Sequence, residues 1–402
     1  MKSLKVALVH DFLTAYGGAE RVLEVFCEMF PEAPIYTLLY DKEKMRGKFS
    51  DKVIQTSFLQ KFPKFLRKRS QYLLPLLPTA PETFDLREYD LVISSSGAWS
   101  KGIVTRLNTL HIAYIHSPMR FVWDYNEKYL KEDRCGRMSF LARPFLSYLR
   151  IWDKMAADRP DHLIANSEYT RKRIRKYYGR ESTVIHPPVV TSSFSPVPGG
   201  DVWRNRQTER AQSRVRPLPS PLPITGEGGK YFLIVSRLSP YKKIDAAVEA
   251  FNKLELPLVV VGEGKQEKYL KSIAGNNIQF LGWQADEKIE EIYANARAFV
   301  FPGVDDFGLS AAEAMTRGVP IVAIRKGGAL EIVEEGKTGE FFDAATPEVL
   351  ADGVRRFMEN EGNYDKNYIK QKAERFGKER FVREFREFID KMDENSPNCL
   401  IT

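Results

Sequence analysis

The sequence predicts an α/β protein of two doubly wound domains, on three observations. Short, nearly continuous apolar runs alternate with stretches of helical periodicity, which marks parallel sheets covered on both faces. The runs fall into two series, one ending near residue 188 and the other beginning at 230. Between them, residues 195–229 are rich in Pro, Gly, Arg and Ser and nearly empty of core-forming side chains. Such a composition cannot offset the entropy of ordering and predicts a disordered linker or insertion.

The first series opens with "LKVALVH", then a glycine pair, then "ERVLEVFCEMF", where Val22, Phe26, Met29 and Phe30 recur at helical spacing. "DLVISSS", "LHIAYIH", "DHLIANS" and "TVIHPP" continue it as strands. The second series runs "KYFLIVS", "LPLVVVGEG", "IQFLGW", "AFVFPG" and "VPIVAI". After residue 365 comes a charged amphipathic tail, with Phe381, Phe385 and Phe388 near helical spacing. The expected organisation is therefore a first domain over 1–194, the linker 195–229, a second domain over 230–374 and a terminal helix within 375–402.

A chain of 402 residues suits two cores, and 43% hydrophobic with 28% charged residues describes a globular protein. Three scattered cysteines without a CxxC pair predict a reducing compartment. The apolar run at the start is too short for a signal or membrane segment, so a cytoplasmic protein is expected. The closing "CLIT" matches a prenylation box only formally and is read as chance. A net charge of +8 favours anionic partners. Nucleotide phosphates and lipid headgroups fit better than nucleic acid, because no zinc-finger or RNP-like motif occurs. The stretch 58–77, with Lys61, Lys64, Arg67, Lys68 and Arg69 among Phe58, Phe62, Phe65 and Leu66, suggests a peripheral attachment to anionic membrane. A basic segment folded onto its own domain is the alternative.

Ligands of doubly wound sheets sit beyond the carboxyl ends of strands, where helix N-termini offer free amides to anions. Three loops of that kind stand out. Gly17 and Gly18 separate a strand from a helix, where missing side chains let a ligand approach the backbone; a plain tight turn is the other reading. In "VSRLSPYKKID", Arg237 follows a strand and Lys242 precedes a helix, a pair suited to clamping a diphosphate or else a solvated basic turn. In "FPGVDDFGLSAAEAM", Asp305 lies on the loop and Glu313 in the helix, with Phe307, Gly308 and Leu309 between. Carboxylates accept two bonds from vicinal hydroxyls, so this loop suits a polyhydroxylated, phosphorylated ligand, although a surface turn fits the spacing as well.

These motifs, taken together and in order, resemble the retaining glycosyltransferases of family 4, which have the GT-B fold. The resemblance rests on the acidic-x7-Glu pattern around Phe-Gly-Leu, on "GVPIVAIRKGGALEIVEEGKTGEFF" and on "RLSPYK". "VHDFLTAYGGAERV", "AYIHSPMRFVWDY", "IANSEYTRKRI" and "VIHPPV" resemble the mannosyltransferase-like subgroup of bacterial O-antigen and exopolysaccharide synthesis. The likeness covers nearly the whole chain outside 195–229. It implies two Rossmann-like domains with an interdomain cleft, the acceptor bound by the first and the donor by the second. It also implies a terminal helix crossing back to the first domain.

Carried over by residue, the likeness makes Arg237 and Lys242 the groups that neutralise the leaving diphosphate. Asp305 would bind donor-sugar hydroxyls, with Phe307, Gly308 and Leu309 presenting amides. Glu313 would take the ribose diol, Trp283 would lie near the base, Gly17 and Gly18 below the diphosphate, and His116 beside the transferred sugar. The implied reaction moves a hexose, mannose from GDP-mannose foremost, onto a lipid-linked saccharide acceptor, with no cofactor and no metal. Two residues depart from the family pattern, Asp305 where Glu is usual and Asp306 where Gly is usual.

Other classes remain open at this point: a UDP-sugar transferase, a sugar-nucleotide epimerase and a non-catalytic nucleotide-sugar binder. A dinucleotide fingerprint fails, since Glu267 stands where "VGEGKQE" needs its third glycine. A Walker loop fails too, because Glu331 replaces its first glycine. No metal-ligand spacing is found among the five histidines.

Overall fold

The computed structural model describes residues 4–67, 70–124, 139–189 and 231–394. The expected linker 195–229, Lys68, Arg69, Cys135, Cys399 and the "CLIT" end lie outside those residues. The chain divides into two compact units, Met1–Pro188 with Lys378–Thr402, and Val189–Gly377. Val189 falls to the second unit because its amide bonds the Phe376 carbonyl at 2.8 Å.

The first unit is built on a parallel sheet of β1 (Val6–Leu13), β2 (Ile35–Tyr40), β3 (Ile54–Thr56), β4 (Leu91–Ser96), β5 (Leu110–Ile115), β6 (His162–Ala165) and β7 (Thr183–Val184). Their order is β3-β2-β1-β4-β5-β6-β7. The sequence series had passed over β2 and β3, although "IYTLLY" carries the β-branched and aromatic residues of a strand. In contrast, "TVIHPP" shrinks to the two residues of β7. Pro187 and Pro188 follow, and neither can donate to a ladder.

Helix α1 (Gly18–Met29) buries Val22, Leu23, Val25 and Phe26. Helices α2 (Ser139–Ala157) and α3 (Glu168–Tyr178) follow, and Ser167 caps α3 by accepting from the Thr170 amide at 2.9 Å. The C-terminal helix, Lys378–Glu394, belongs to this unit. Phe385 meets Phe26 at 4.8 Å between ring centres and Phe381 meets Tyr114 at 5.8 Å. Arg380 also donates to the His186 carbonyl at 2.8 Å.

The basic stretch 58–77 is not one helix. It breaks into a 3-10 turn at Phe58–Lys61, one helical turn at Lys64–Arg67 and a second 3-10 segment at Ser70–Leu76. Pro63, which lacks an amide proton, separates the first two turns, and Pro75 lies within the last segment. Leu59, Leu73 and Leu77 are buried beside Trp99 and Trp152, and Phe58, Phe62 and Leu66 pack partly against the same cluster. Phe65 and Tyr72 stay 67% and 56% exposed.

The second unit holds β8 (Tyr231–Val235), β9 (Leu258–Val261), β10 (Ile278–Gly282), β11 (Ala296–Phe301), β12 (Ile321–Ile324) and β13 (Gly339–Phe342). All pair in parallel, in the order β10-β9-β8-β11-β12-β13. Helices α4 (Ile244–Leu254), α5 (Asp286–Ala294), α6 (Leu309–Thr316) and α7 (Pro347–Glu359) are among those that cover it. Strands β8, β9 and β12 are buried almost throughout, which explains their unbroken apolar runs.

In each sheet the strand order reverses once, between β1 and β4 and between β8 and β11. A crevice opens beyond the carboxyl ends at such a reversal, and that is where ligands of these sheets bind. Among the described residues, no helix is long and apolar enough to cross a membrane.

Candidate functional site

In the second unit, the loops after β8 and β11 flank the reversal. After β8 the chain turns through Arg237 and Ser239 into a 3-10 turn at Pro240–Lys242. Arg237 is exposed and pairs with no carboxylate among the described residues. Lys242 reaches across and forms an ion pair with Asp305 on the other loop; their side chains are only 16% and 13% exposed. This contact demands Gly303, because a Cβ there would lie 2.7 Å from the Lys242 Cα. Helix α6 then starts from Gly308, whose φ of +107° suits glycine and whose added Cβ would meet the Phe301 ring at 2.8 Å.

The Asp305 loop is held from behind. The Gly328 amide donates to the Asp305 carbonyl at 2.9 Å. Phe307 is buried with its ring against Phe376 at 5.2 Å, so what remains of it for a ligand is main chain. Asp306, one of the two departures from the family pattern, is buried as well. Leu309 opens α6, and Glu313 lies one turn further, 6% exposed. Its Oε2 accepts from the Tyr293 hydroxyl at 3.2 Å. Trp283 follows the edge strand β10 and is 41% exposed.

The structure thus joins Lys242 to Asp305 directly and sets Arg237 on the same loop as Lys242. Glu313 is seated deeper, and Trp283 stands at the sheet's edge. An exposed guanidinium beside an ammonium attracts a doubly charged anion, while Asp305 and Glu313 can accept from hydroxyls. Among the described residues, no group of three His, Cys, Asp or Glu side chains gathers as a metal site would require.

In the first unit, the reversal lies between β1 and β4. Gly17 is the extended residue before α1 and Gly18 its first residue. Parallel register sets His10 beside Ser95, and His116 follows β5. The His10 Nδ1 lies 3.1 Å from Ser95 Oγ, which lies 2.7 Å from His116 Nε2. The other nitrogen of His10 lies 3.3 Å from Glu20 of α1. Burial pushes His116 down to about 4, and neighbouring His10 adds to the fall. Burial would raise the Glu20 carboxyl, yet the hydrogen bond and charge of His10 hold it below its usual range.

Asp11, next in the chain, accepts from four successive amides after β4: Gly97 at 2.9 Å, Ala98 at 2.6 Å, Trp99 at 3.0 Å and Ser100 at 2.6 Å. The sequence reading singled out Gly17, Gly18 and His116 but missed His10, Asp11, Glu20 and Ser95. The signal available was polarity at strand ends: "HDF" and "SSS" interrupt otherwise apolar runs.

Two family models match adjoining parts of the chain. The model described as Glycosyltransferase Family 4 matches residues 16–193, and that described as Glycosyl transferases group 1 matches 224–375. The first unit thus carries a Glycosyltransferase Family 4 region and the second a Glycosyl transferases group 1 region.

Among curated relatives, a D-inositol 3-phosphate glycosyltransferase of Nocardioides is 26% identical over 54% of this chain and 50% of its own. A GDP-mannose-dependent alpha-(1-6)-phosphatidylinositol monomannoside mannosyltransferase of Mycobacterium tuberculosis is 28% identical over 50% of this chain and 53% of its own. The chain therefore spans about half the length of both. A solved structure of Anabaena HepE in complex with UDP matches with a TM-score of 0.64 and 18% identity, over 96% of this chain and 100% of that one. Together with the two parallel sheets, this likeness establishes the α/β GT-B fold.

Proposed function

We propose that the chain is a retaining hexosyltransferase that moves mannose from GDP-mannose onto a lipid-linked saccharide in cell-surface polysaccharide synthesis. The observation that carries this reading is the Lys242–Asp305 contact at the β8/β11 reversal, with Arg237 exposed beside it. A diphosphate needs cations and a sugar needs hydroxyl acceptors, and this contact puts one of each at a strand-end crevice. The choice of GDP-mannose draws on the mycobacterial relative.

In the mechanism that follows, Arg237 and Lys242 take up the charge that grows on the diphosphate as the glycosidic bond breaks. Asp305 holds donor-sugar hydroxyls, exchanging its ammonium partner for them as Lys242 turns to the phosphates. Amides from Phe307 to Leu309 face the sugar or phosphate, Glu313 takes the ribose diol and Trp283 packs near the base. Gly17 and Gly18 leave room below the diphosphate, and His116 contacts the transferred sugar. Front-face substitution assisted by the leaving diphosphate retains configuration without a protein nucleophile. The two cationic side chains do the work a metal does elsewhere, so no metal enters the scheme.

The acceptor's lipid calls for a membrane surface, and Phe65 stands exposed beside exposed Lys61 and Lys64 to meet anionic headgroups. Each basic residue near such a surface contributes about 1 kcal/mol. The enzyme works from the cytoplasmic side in this scheme.

The test is a donor screen read by mass spectrometry, with lipid-linked acceptor and with or without EDTA. Mannose transfer that survives EDTA is expected. Transfer from a UDP-sugar instead would overturn the donor, and donor retention without turnover would overturn the enzyme.

A further inference from the structure

We propose that Glu20, His10 and Ser95 form a hydrogen-bond relay that fixes the tautomer of His116, placing its proton on Nε2 and leaving Nδ1 as the acceptor for a ligand hydroxyl. The three are positioning residues. Only the final step, the ligand hydroxyl, rests on the reading of His116 as a sugar contact.

The donor and acceptor inventory sets the direction. Glu20 is an ionised carboxylate at neutral pH and only accepts, so the His10 Nε2 at 3.3 Å must carry the proton. In this relay the His10–Glu20 contact is a hydrogen bond from a ring with a single proton; Nδ1 is then a bare acceptor, and the Ser95 hydroxyl at 3.1 Å donates to it. Having spent its one proton, Ser95 Oγ can only accept from His116 Nε2 at 2.7 Å. His116 is neutral, since burial holds its pKa near 4, so one proton serves both ring nitrogens and Nδ1 is left with its lone pair. With that single proton on His10, each link follows from the one before, starting at a carboxylate on α1 and ending on the loop after β5.

The neighbouring His111 shows why the carboxylate matters. Its Nε2 lies 2.8 Å from Ser94 Oγ, a similar His–Ser contact on the opposite face of β4. That ring is fully buried, and its Nδ1 has no partner among the described residues. It cannot reach a ligand. His116 is only partly buried, and its backbone is pinned on both sides: its amide donates to the Ser96 carbonyl at 2.8 Å and its carbonyl accepts from Asn166 at 2.9 Å. The relay therefore ends at a ring fixed in place, with a defined nitrogen for a hydroxyl.

The experiment uses the full chain with 15N-labelled histidine and long-range 1H–15N correlation at pH 7.5, the His116 signals being assigned by their loss in His116→Gln. Wild-type His116 is expected as the Nε2–H tautomer; a proton on Nδ1 would overturn the relay without any variant at issue. Ser95→Ala should convert His116 to a tautomer mixture and lower kcat about tenfold, the worth of one hydrogen bond, with donor KM little changed. Ser95→Thr, which keeps the hydroxyl, should restore both. An unchanged tautomer in Ser95→Ala would sink the proposal. A shifted tautomer with full transfer rate would uphold the relay and overturn the sugar contact of His116.

Discussion

The two units carry the same device, a strand-order reversal, and furnish it in opposite ways. In the first, the polar groups at the reversal bond to one another: Asp11 closes on four amides, and Glu20, His10, Ser95 and His116 form one chain. In the second, Lys242 pairs with Asp305 across the reversal and Arg237 stands exposed. Buried networks whose groups bond to one another hold geometry, because every lost partner leaves an unsatisfied group in a low-dielectric surrounding. An exposed cation such as Arg237 holds little geometry and attracts anions. The difference teaches that one crevice is held by bonds among its own buried groups, whereas the other leaves a cation open to solvent.

The sharpest way to break that comparison is at the cations. Arg237→Ala and Lys242→Ala should each lower kcat by about 100- to 1,000-fold, with donor affinity falling less, since charge on the diphosphate grows toward the transition state. Glu313→Ala should instead raise donor KM more than it lowers kcat, as a ribose contact differs little between ground and transition states. Steady-state kinetics with purified variants decide it. Unchanged kcat in both cation variants would return the Asp305 loop to a surface turn.

The first crevice should fail differently. Asp11→Ala strands amides that had shared a buried carboxylate, each worth about 1–3 kcal/mol when left unsatisfied. Denaturant melts followed by the tryptophans of the first unit should show a loss of a few kcal/mol. An unaltered midpoint would mean that water replaces the carboxylate at no cost.

A subtler effect comes from protons. Burial lowers His111 to about 3 and His116 to about 4, from an ordinary 6.5. Between pH 6.5 and 4 the unfolded chain binds protons that the folded unit refuses. Stability is therefore complete above pH 6.5 and falls as pH drops through that window, by about 1.4 kcal/mol per pH unit for each ring. Denaturant midpoints at pH 7.0, 5.5 and 4.5 test the sign, and His116→Gln should flatten the curve.

The smallest effect concerns the surface. Phe65→Ser should weaken sedimentation with anionic vesicles severalfold, since one exposed aromatic supplies only part of the attachment. Equal sedimentation with anionic and neutral vesicles would remove the membrane from the scheme.

What the chain's letters determined by themselves is the local part. Unbroken apolar runs such as "YFLIV" and "LVVV" announce strands buried on both faces, because a parallel sheet covered by helices leaves no face for polar side chains. The spacing of Phe381, Phe385 and Phe388 likewise announces an amphipathic helix, since side chains three and four apart share a face. "FPGVDDFGLSAAEAM" shows a strand, a glycine-bearing loop and a helix start in fifteen letters, and Asp305 and Glu313 were legible there as a pair.

Only the tertiary structure decided which residues meet. His10 and Ser95 are 85 positions apart in sequence, and parallel pairing of β1 with β4 brings them within 3.1 Å. Lys242 and Asp305 are joined across 63 positions by the adjacency of β8 and β11. The terminal helix was visible as a helix, but Phe26 and Tyr114 as its seat were not. The physical reason is common to all three. Backbone propensity and hydrophobic period act over a few residues, whereas strand order and register are fixed by how distant apolar faces close on one another, and that information is spread over the whole chain.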